Sequence, residues 1–174
     1  MTNNDLDCKL KNCCGGGCGC GAGHCCNCPI NPLPAIPDDV FASFNNYALA
    51  PKDGTLLPMN TAVEDPTGQI TSADGERVTL AAGYYLVSYQ VSGLFENPGY
   101  FQITPFYNNA PFIINGIYFM IGNWSGGGRF SGSGSANFII YAPSETRFSL
   151  TYNSIATVTE VQTTITFLKL RRPV

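Results

Sequence analysis

The run Gly83 to Phe95, GYYLVSYQVSGLF, restricts the fold of this chain more than any other stretch. Tyr85, Val87, Tyr89 and Val91 recur at every second position, and Tyr84, Leu86, Ser88, Gln90 and Ser92 fall between them. A period of two puts the first set on one face of a strand and the second on the other, and that second face becomes polar along its length. Shorter runs of the same kind surround it: VFASFNNYAL, LLPMNT, QIT around Ile70, RVTL after the Asp74-Gly75 turn signal, YFQITPFYN, PFIINGIYFMIG, NFIIYA, RFSLTY and VTEVQTTITFLKL. PFIINGIYFMIG reads as two strands divided at Asn115-Gly116. In the last run Val161, Ile165 and Phe167 share a face with Thr163. No window of a dozen residues has clean helical periodicity. Nine or ten short strands with closely spaced turn signals predict an all-β sandwich.

The sandwich pattern begins only after Pro37. All eight cysteines lie between Cys8 and Cys28, in CKLKNCCGGGCGCGAGHCCNC. Glycine offers no side chain to bury and costs the most backbone entropy to order, so this stretch predicts an irregular tether and no packed core. PINPLPAIP follows with Pro29, Pro32, Pro34 and Pro37, a composition that favours extended spacing. The chain divides into a Cys/Gly-rich tether at 1–28, a Pro-rich linker at 29–38 and a cysteine-free head at 39–174.

Charged residues make up 12 % of the chain, about half the usual share of roughly 25 %. Eleven Phe and nine Tyr accompany that shortage, so the head has more apolar surface than it can hide alone and subunit contact is expected. The net charge is −3, and Lys9, Lys11, Arg171 and Arg172 are too few for a polyanion site, which argues against nucleic acid as a partner. No window reaches the roughly 18 apolar residues of a membrane span. The start, MTNNDLDC, lacks the basic and apolar regions of a secretory signal, so synthesis in a cytosol without signal-peptide export is expected. A reducing cytosol keeps thiols open. The cysteines therefore either hold metal inside the cell or pair after a later release, such as lysis of the producing cell.

Two chemistries compete for Cys8, Cys13, Cys14, Cys18, Cys20, Cys25, Cys26 and Cys28. Adjacent cysteines rarely bridge each other, because the small ring is strained, and glycine neighbours leave access for other partners. An intermolecular disulfide network on exposure to an oxidising exterior is the favoured reading. The alternative is a zinc site using Cys14, Cys18, His24, Cys25 and Cys28, although no small fold separates the two knuckles. Acylation, or a tail without chemistry, is a third possibility.

The head carries no catalytic signature. His24 is the sole histidine and lies in the tether, which removes Ser–His–Asp and Cys–His catalysis from the head. Asp53, Glu64, Asp65, Asp74, Glu76, Glu96, Glu145 and Glu160 read as turn and rim residues; a paired-carboxylate hydrolase or a calcium contact at Asp38-Asp39 or Glu64-Asp65 is the weaker reading. GNWSGGGRFSGSGS lacks the Gly-Lys-Ser/Thr ending of a phosphate loop and reads as a flexible connection between strands. Asn123-Trp124-Ser125 fits a glycosylation sequon, and Trp124 suits a subunit seam or a sugar platform. No cofactor and no enzymatic activity are expected.

The strand Gly83, Tyr85, Val87, Tyr89, Val91 resembles the central strand of the trimeric jelly rolls of the tumour-necrosis-factor and complement-head superfamily. YALAPKDGTLLPMNT followed by GQIT is similar to the first strands of that fold, and TTITFLKL stands where its last strand ends the domain. The likeness covers roughly residues 40–172. Within the superfamily the head resembles those at the tips of the collagen-like glycoproteins of the bacterial spore surface, the exosporium. The glycines at 15, 16, 17, 19, 21 and 23 show no collagen period of three. Short cysteine-bearing connectors ahead of a jelly roll resemble instead the subunits of spore appendage fibres. The resemblance implies a jelly-roll head that forms homotrimers, a structural role in a spore-surface layer, fibre or appendage, and other cysteine-rich spore-surface proteins as possible partners. It leaves a carbohydrate- or receptor-binding head as the alternative.

Overall fold

The structure is a computed structural model that describes residues 39–123 and 128–171. The cysteine tether and the Pro-rich linker lie outside the described residues. So do Trp124 and its following Ser125.

Two antiparallel sheets pack face to face as a jelly-roll β-sandwich. The first is ordered β2 (Asn60–Val63), β1 (Phe41–Leu49), β11 (Val158–Leu170), β5 (Gly83–Phe95), β9 (Phe130–Ala142). The second is ordered β3 (Ile70–Thr71), β4 (Val78–Leu80), β10 (Thr146–Ser154), β6 (Gly99–Tyr107), β7 (Ala110–Pro111), with β8 (Ile117–Ile121) also paired to β6. Eleven strands among the described residues agree with the nine or ten read from the turn spacing.

The period of two does what it predicts. Tyr85, Val87, Tyr89 and Val91 are all at most 2 % exposed, and Val161, Thr163, Ile165 and Phe167 of β11 line the same interior. Each fully buried apolar side chain of this size contributes roughly 1.5–3 kcal/mol, so β5 and β11 together dominate the first sheet's stability. From the facing sheet come Phe101, Ile103, Phe148, Leu150 and Tyr152. Phe148 meets Phe167 edge-on at 5.0 Å, and Phe101 stacks on Phe119 at 4.9 Å.

Two sequence expectations need correction. In PFIINGIYFMIG the second expected strand is present as β8, but the first is not, since only Pro111 pairs, in β7. Ile113–Asn115 form one 3-10 turn between the two-residue β7 and β8. Phe112 stacks on Tyr107 at 3.9 Å, and the Tyr89 hydroxyl donates to the Asn115 carbonyl at 2.8 Å. Those bonds to the sheets outweigh the β propensity of Phe112-Ile113-Ile114. The second half of the Gly/Ser run, from Phe130 onward, is likewise no flexible connection. Phe130 to Ala136 is the first half of β9 and pairs residue for residue with β5, from Phe95↔Phe130 to Tyr89↔Ala136. Its glycines face inward because β8 fills their space: a Cβ built on Gly134 would lie 2.5 Å from the Cγ2 of Ile117, and Gly132 lies as tightly under Phe119. Serine occupies the outward positions between them.

Candidate functional site

The outward face of the first sheet is the most unusual surface of the head. Its side chains form rows across β1, β11, β5 and β9, set by the ladders. At one end Leu170, Tyr84 and Tyr141 make one row and Phe41, Leu168, Leu86 and Ile139 the next. Tyr84 and Tyr141 stack at 4.6 Å, while Ile139 is 61 % exposed. The following rows are polar: Ser43, Thr166, Ser88, Asn137; then Asn45, Thr164, Gln90, Ser135; then Gln162, Ser92, Ser133. Gln90, Ser92, Ser133, Ser135, Gln162 and Thr164 outline an open trough of about 360 Å³.

No side chain in these rows is charged. An outward sheet face ordinarily carries Lys, Glu or Asp, and depletion of those residues marks the centre of protein interfaces. The other sheet contrasts with it: β10 exposes Arg147, and Asp53 accepts from the Asn153 side chain and the Ser154 amide at 3.1 Å each. The chain's shortage of charge is thus concentrated on one face.

A second apolar surface stands at the edge beside β9. Ile114 of the 3-10 turn is 92 % exposed, Ile113 71 %, Met120 68 % and Tyr118 64 %. The turn that presents the isoleucines is anchored. Asn115 accepts from Tyr89 and donates to the Tyr107 hydroxyl at 3.0 Å, and the Gly116 amide closes on the Ile113 carbonyl at 2.9 Å. Sequence reasoning placed Ile113 and Ile114 in a strand and missed the patch. The Asn115-Gly116 step was the available signal, since it bends the chain and leaves the preceding isoleucines without a partner strand.

Several of the head's carboxylates are occupied. Asp65 is buried, and it accepts from Thr67 through both amide (3.0 Å) and hydroxyl (2.8 Å), and from the Gln69 (2.9 Å) and Ile70 (3.0 Å) amides. Burial pushes its carboxyl up, but these donors outweigh burial and hold it below the ordinary range. Asp65 is thus a turn residue, but a buried one, and the calcium reading does not fit it: the oxygens are already surrounded by N–H and O–H donors. Glu96 bonds Arg129 and Thr159 at 3.0 Å each, and Asp39 pairs with Arg171. Among the described residues no three His, Cys, Asp or Glu side chains converge on a metal position, and no helix is long and apolar enough to cross a membrane. Cys8, Cys13, Cys14, Cys18, Cys20, Cys25, Cys26, Cys28 and His24, the cross-linking and zinc candidates, lie outside the described residues, as does Trp124.

No protein-family model matches this sequence, and no curated protein matches it at the level of sequence. Solved structures share the fold. The globular domain of zebrafish complement 1qA is 11 % identical, with 77 % of this chain and 99 % of that one superposed at a TM-score of 0.55. The Eiger TNF of S. frugiperda is 13 % identical, covering 78 % and 95 % at 0.55, and murine APRIL is 12 % identical, covering 76 % and 100 % at 0.51. At these identities the likeness is one of architecture: the head is a jelly roll of the complement-1q and tumour-necrosis-factor kind.

Proposed function

We propose that this protein is a non-enzymatic structural subunit of a bacterial spore-surface assembly, with a head that trimerises and a tether that cross-links through its cysteines. The observation that carries the reading is the set of uncharged rows on the outward face of β1, β11, β5 and β9. A face of apolar and neutral polar side chains loses little on leaving water, whereas a charged one must be paired. Its apolar rows also lie at the end where the described residues begin. The Lys169 amide bonds the Val40 carbonyl at 2.8 Å there, and Phe41 opens the apolar row opposite Leu168. Subunits joined through their heads carry eight thiols each into one assembly, which raises the effective concentration of those thiols for one another. Disulfides between tethers then fix the assembly. The spore location and the fibre, layer or appendage form rest on the resemblance of head and cysteine connector described above.

The trough of hydroxyl and amide side chains supports a second reading, a head that binds a neutral carbohydrate. Native mass spectrometry on the full chain, purified without oxygen and then exposed to air, separates the readings. Metal-free trimers that become covalent multiples in air are the expected result. Monomers in both conditions would remove the assembly reading and move attention to a ligand of the trough. Trimers with a fixed zinc count and no covalent growth would assign the tether to metal binding.

A further inference from the structure

The second sheet has an outward face of its own, with a different chemistry. Alternation along β8, β6 and β10 buries Ile117, Phe101, Ile103 and Tyr152 and turns Tyr118, Tyr100, Gln102 and Asn153 the other way. The ladders set Tyr118 opposite Gln102 and Gln102 opposite Asn153, in one row. Tyr100 is the next residue on the same face of β6, and its ring lies 5.8 Å from that of Tyr118 at an angle of 23°. We infer that this row is a saccharide-binding platform. The two tyrosine rings take the apolar C–H face of a neutral sugar, and Gln102, Asn153 and Asp53 take its hydroxyls. The platform lies within one chain and on the sheet opposite the trough, so it goes beyond the assembly proposed above and does not depend on the trimer.

Three observations carry this. First, the aromatic surface is open. Tyr118 is 64 % exposed and packs on Tyr100 rather than into the sandwich, so the nearly parallel pair offers rings and hydroxyls to solvent together. Second, the polar groups beside it are held in place. The Asn153 side-chain amide and the Ser154 backbone amide both donate to Asp53 Oδ1 at 3.1 Å, and the Gln102 amide donates to the Thr104 hydroxyl at 3.1 Å. Side chains ordered before contact lose little entropy when a ligand docks. Third, those bonds leave over what a sugar needs. Asp53 keeps Oδ2 as an acceptor, and Asn153 and Gln102 each keep a carbonyl oxygen and one N–H. A hydroxyl both donates and accepts, so acceptors and donors side by side match neighbouring hydroxyls. Paired strands stand about 4.8 Å apart, so the row from Tyr118 to Asn153 spans about 10 Å, room for one or two sugar rings. A hydrophobic protein surface is the poorer occupant, because it would bury Gln102, Asn153 and Asp53 without partners for these groups.

The test is a glycan array of neutral hexose, deoxyhexose and N-acetylhexosamine oligosaccharides, probed with the full chain under reducing conditions. The wild type should bind, and for each glycan bound Tyr118→Ala should weaken binding about tenfold. Tyr118→Phe keeps the ring and should retain most of the affinity. Gln102→Ala should weaken binding as well, and it carries the test should Tyr118→Ala fail to fold. Gln90→Ala, in the trough of the other sheet, should bind like the wild type. Native mass spectrometry should give every variant the oligomeric state of the wild type. An array on which nothing binds overturns the inference. So does binding that Gln90→Ala abolishes and Tyr118→Ala leaves intact, which would assign the sugar to the trough. A Tyr118→Ala chain that forms smaller assemblies than the wild type also overturns it, because the platform would then be a contact between copies. A monomeric wild type that binds through Tyr118 would sink the trimer and keep the platform.

Discussion

Gly134 of β9 lies directly beneath Ile117 of β8, so close that a Cβ on the glycine would come within 2.5 Å of the isoleucine Cγ2. The contact closes the open side of the sandwich, where β8 of one sheet meets β9 of the other. Gly134→Ala should therefore overpack this seam and cost about 1–3 kcal/mol. Ile117→Ala alone should cost about 2–5 kcal/mol by leaving a cavity. Together the two changes relieve one another. A double-mutant cycle by urea unfolding should give a combined loss smaller than the sum, and strict additivity would show that the seam does not depend on this pair.

Asp65 gives the head an acid-sensitive turn. Its carboxyl is held below the ordinary value of 3.8, so its contribution is present above that pH and is lost as pH falls through the lower folded value. Asp65→Asn replaces a charged acceptor of four donors by an amide and should cost roughly 2–3 kcal/mol at neutral pH. The variant should also lose part of the decline in stability below pH 4. Thermal melts between pH 7 and 2 check both effects. An unchanged acid limb would mean that another carboxyl, such as Asp74, held at about 2 by the Glu76 and Arg77 amides and the Arg77 side chain, sets it.

Most of the sandwich was legible because its strands alternate. β5, β10 and β11 announce themselves through Tyr85, Phe148 and Ile165 at every second position, and their ladders follow the pattern. Residues chosen for another strand's shape were less legible. Gly132 and Gly134 carry no hydrophobic signal, since the apolar groups that fill their places belong to Phe119 and Ile117. The period was still there, glycine inward and serine outward, but hydrophobicity alone does not reveal it. The uncharged face was legible only as a low total of charges. Composition gives their number, and the register of four strands gives the place they avoid.

Glu160 sits where the β5–β11 ladder breaks, between Thr159 and Gln162, with a φ of 52°; Ala48, at the break of the β1–β11 ladder, has the same value. An L-residue in this left-handed region costs about 1–2 kcal/mol, which glycine avoids. The Glu160 side chain is exposed and fills no core position. Glu160→Gly should therefore stabilise the head by about 1 kcal/mol, and Glu160→Val, β-branched at the same φ, should destabilise it. Denaturant midpoints measured side by side decide this, and a glycine variant less stable than wild type would show that the bulge is held by the glutamate itself.

Tyr85 predicts the opposite limb of the pH profile. Its hydroxyl is enclosed under the sandwich and donates to the Ala81 carbonyl at 2.8 Å. Burial first, and then the nearby Asp65 charge, push it from 10.0 up to about 12; burial also raises Tyr89. A raised folded value means that the stability is fully present below pH 10 and drains away as pH climbs towards 12, because the unfolded chain gives up its proton first. Tyrosinate absorbance should consequently rise in two stages. Tyr85 and Tyr89 ionise in the second, only with loss of the fold. Tyr85→Phe forfeits the Ala81 bond, about 0.5–1.5 kcal/mol at neutral pH, but has no proton to lose. Its stability should fall less steeply above pH 10 than that of the wild type, so the two curves should converge in alkali. Parallel curves would place the alkaline transition on another tyrosine, with Tyr89 and its bond to the Asn115 carbonyl the next to vary.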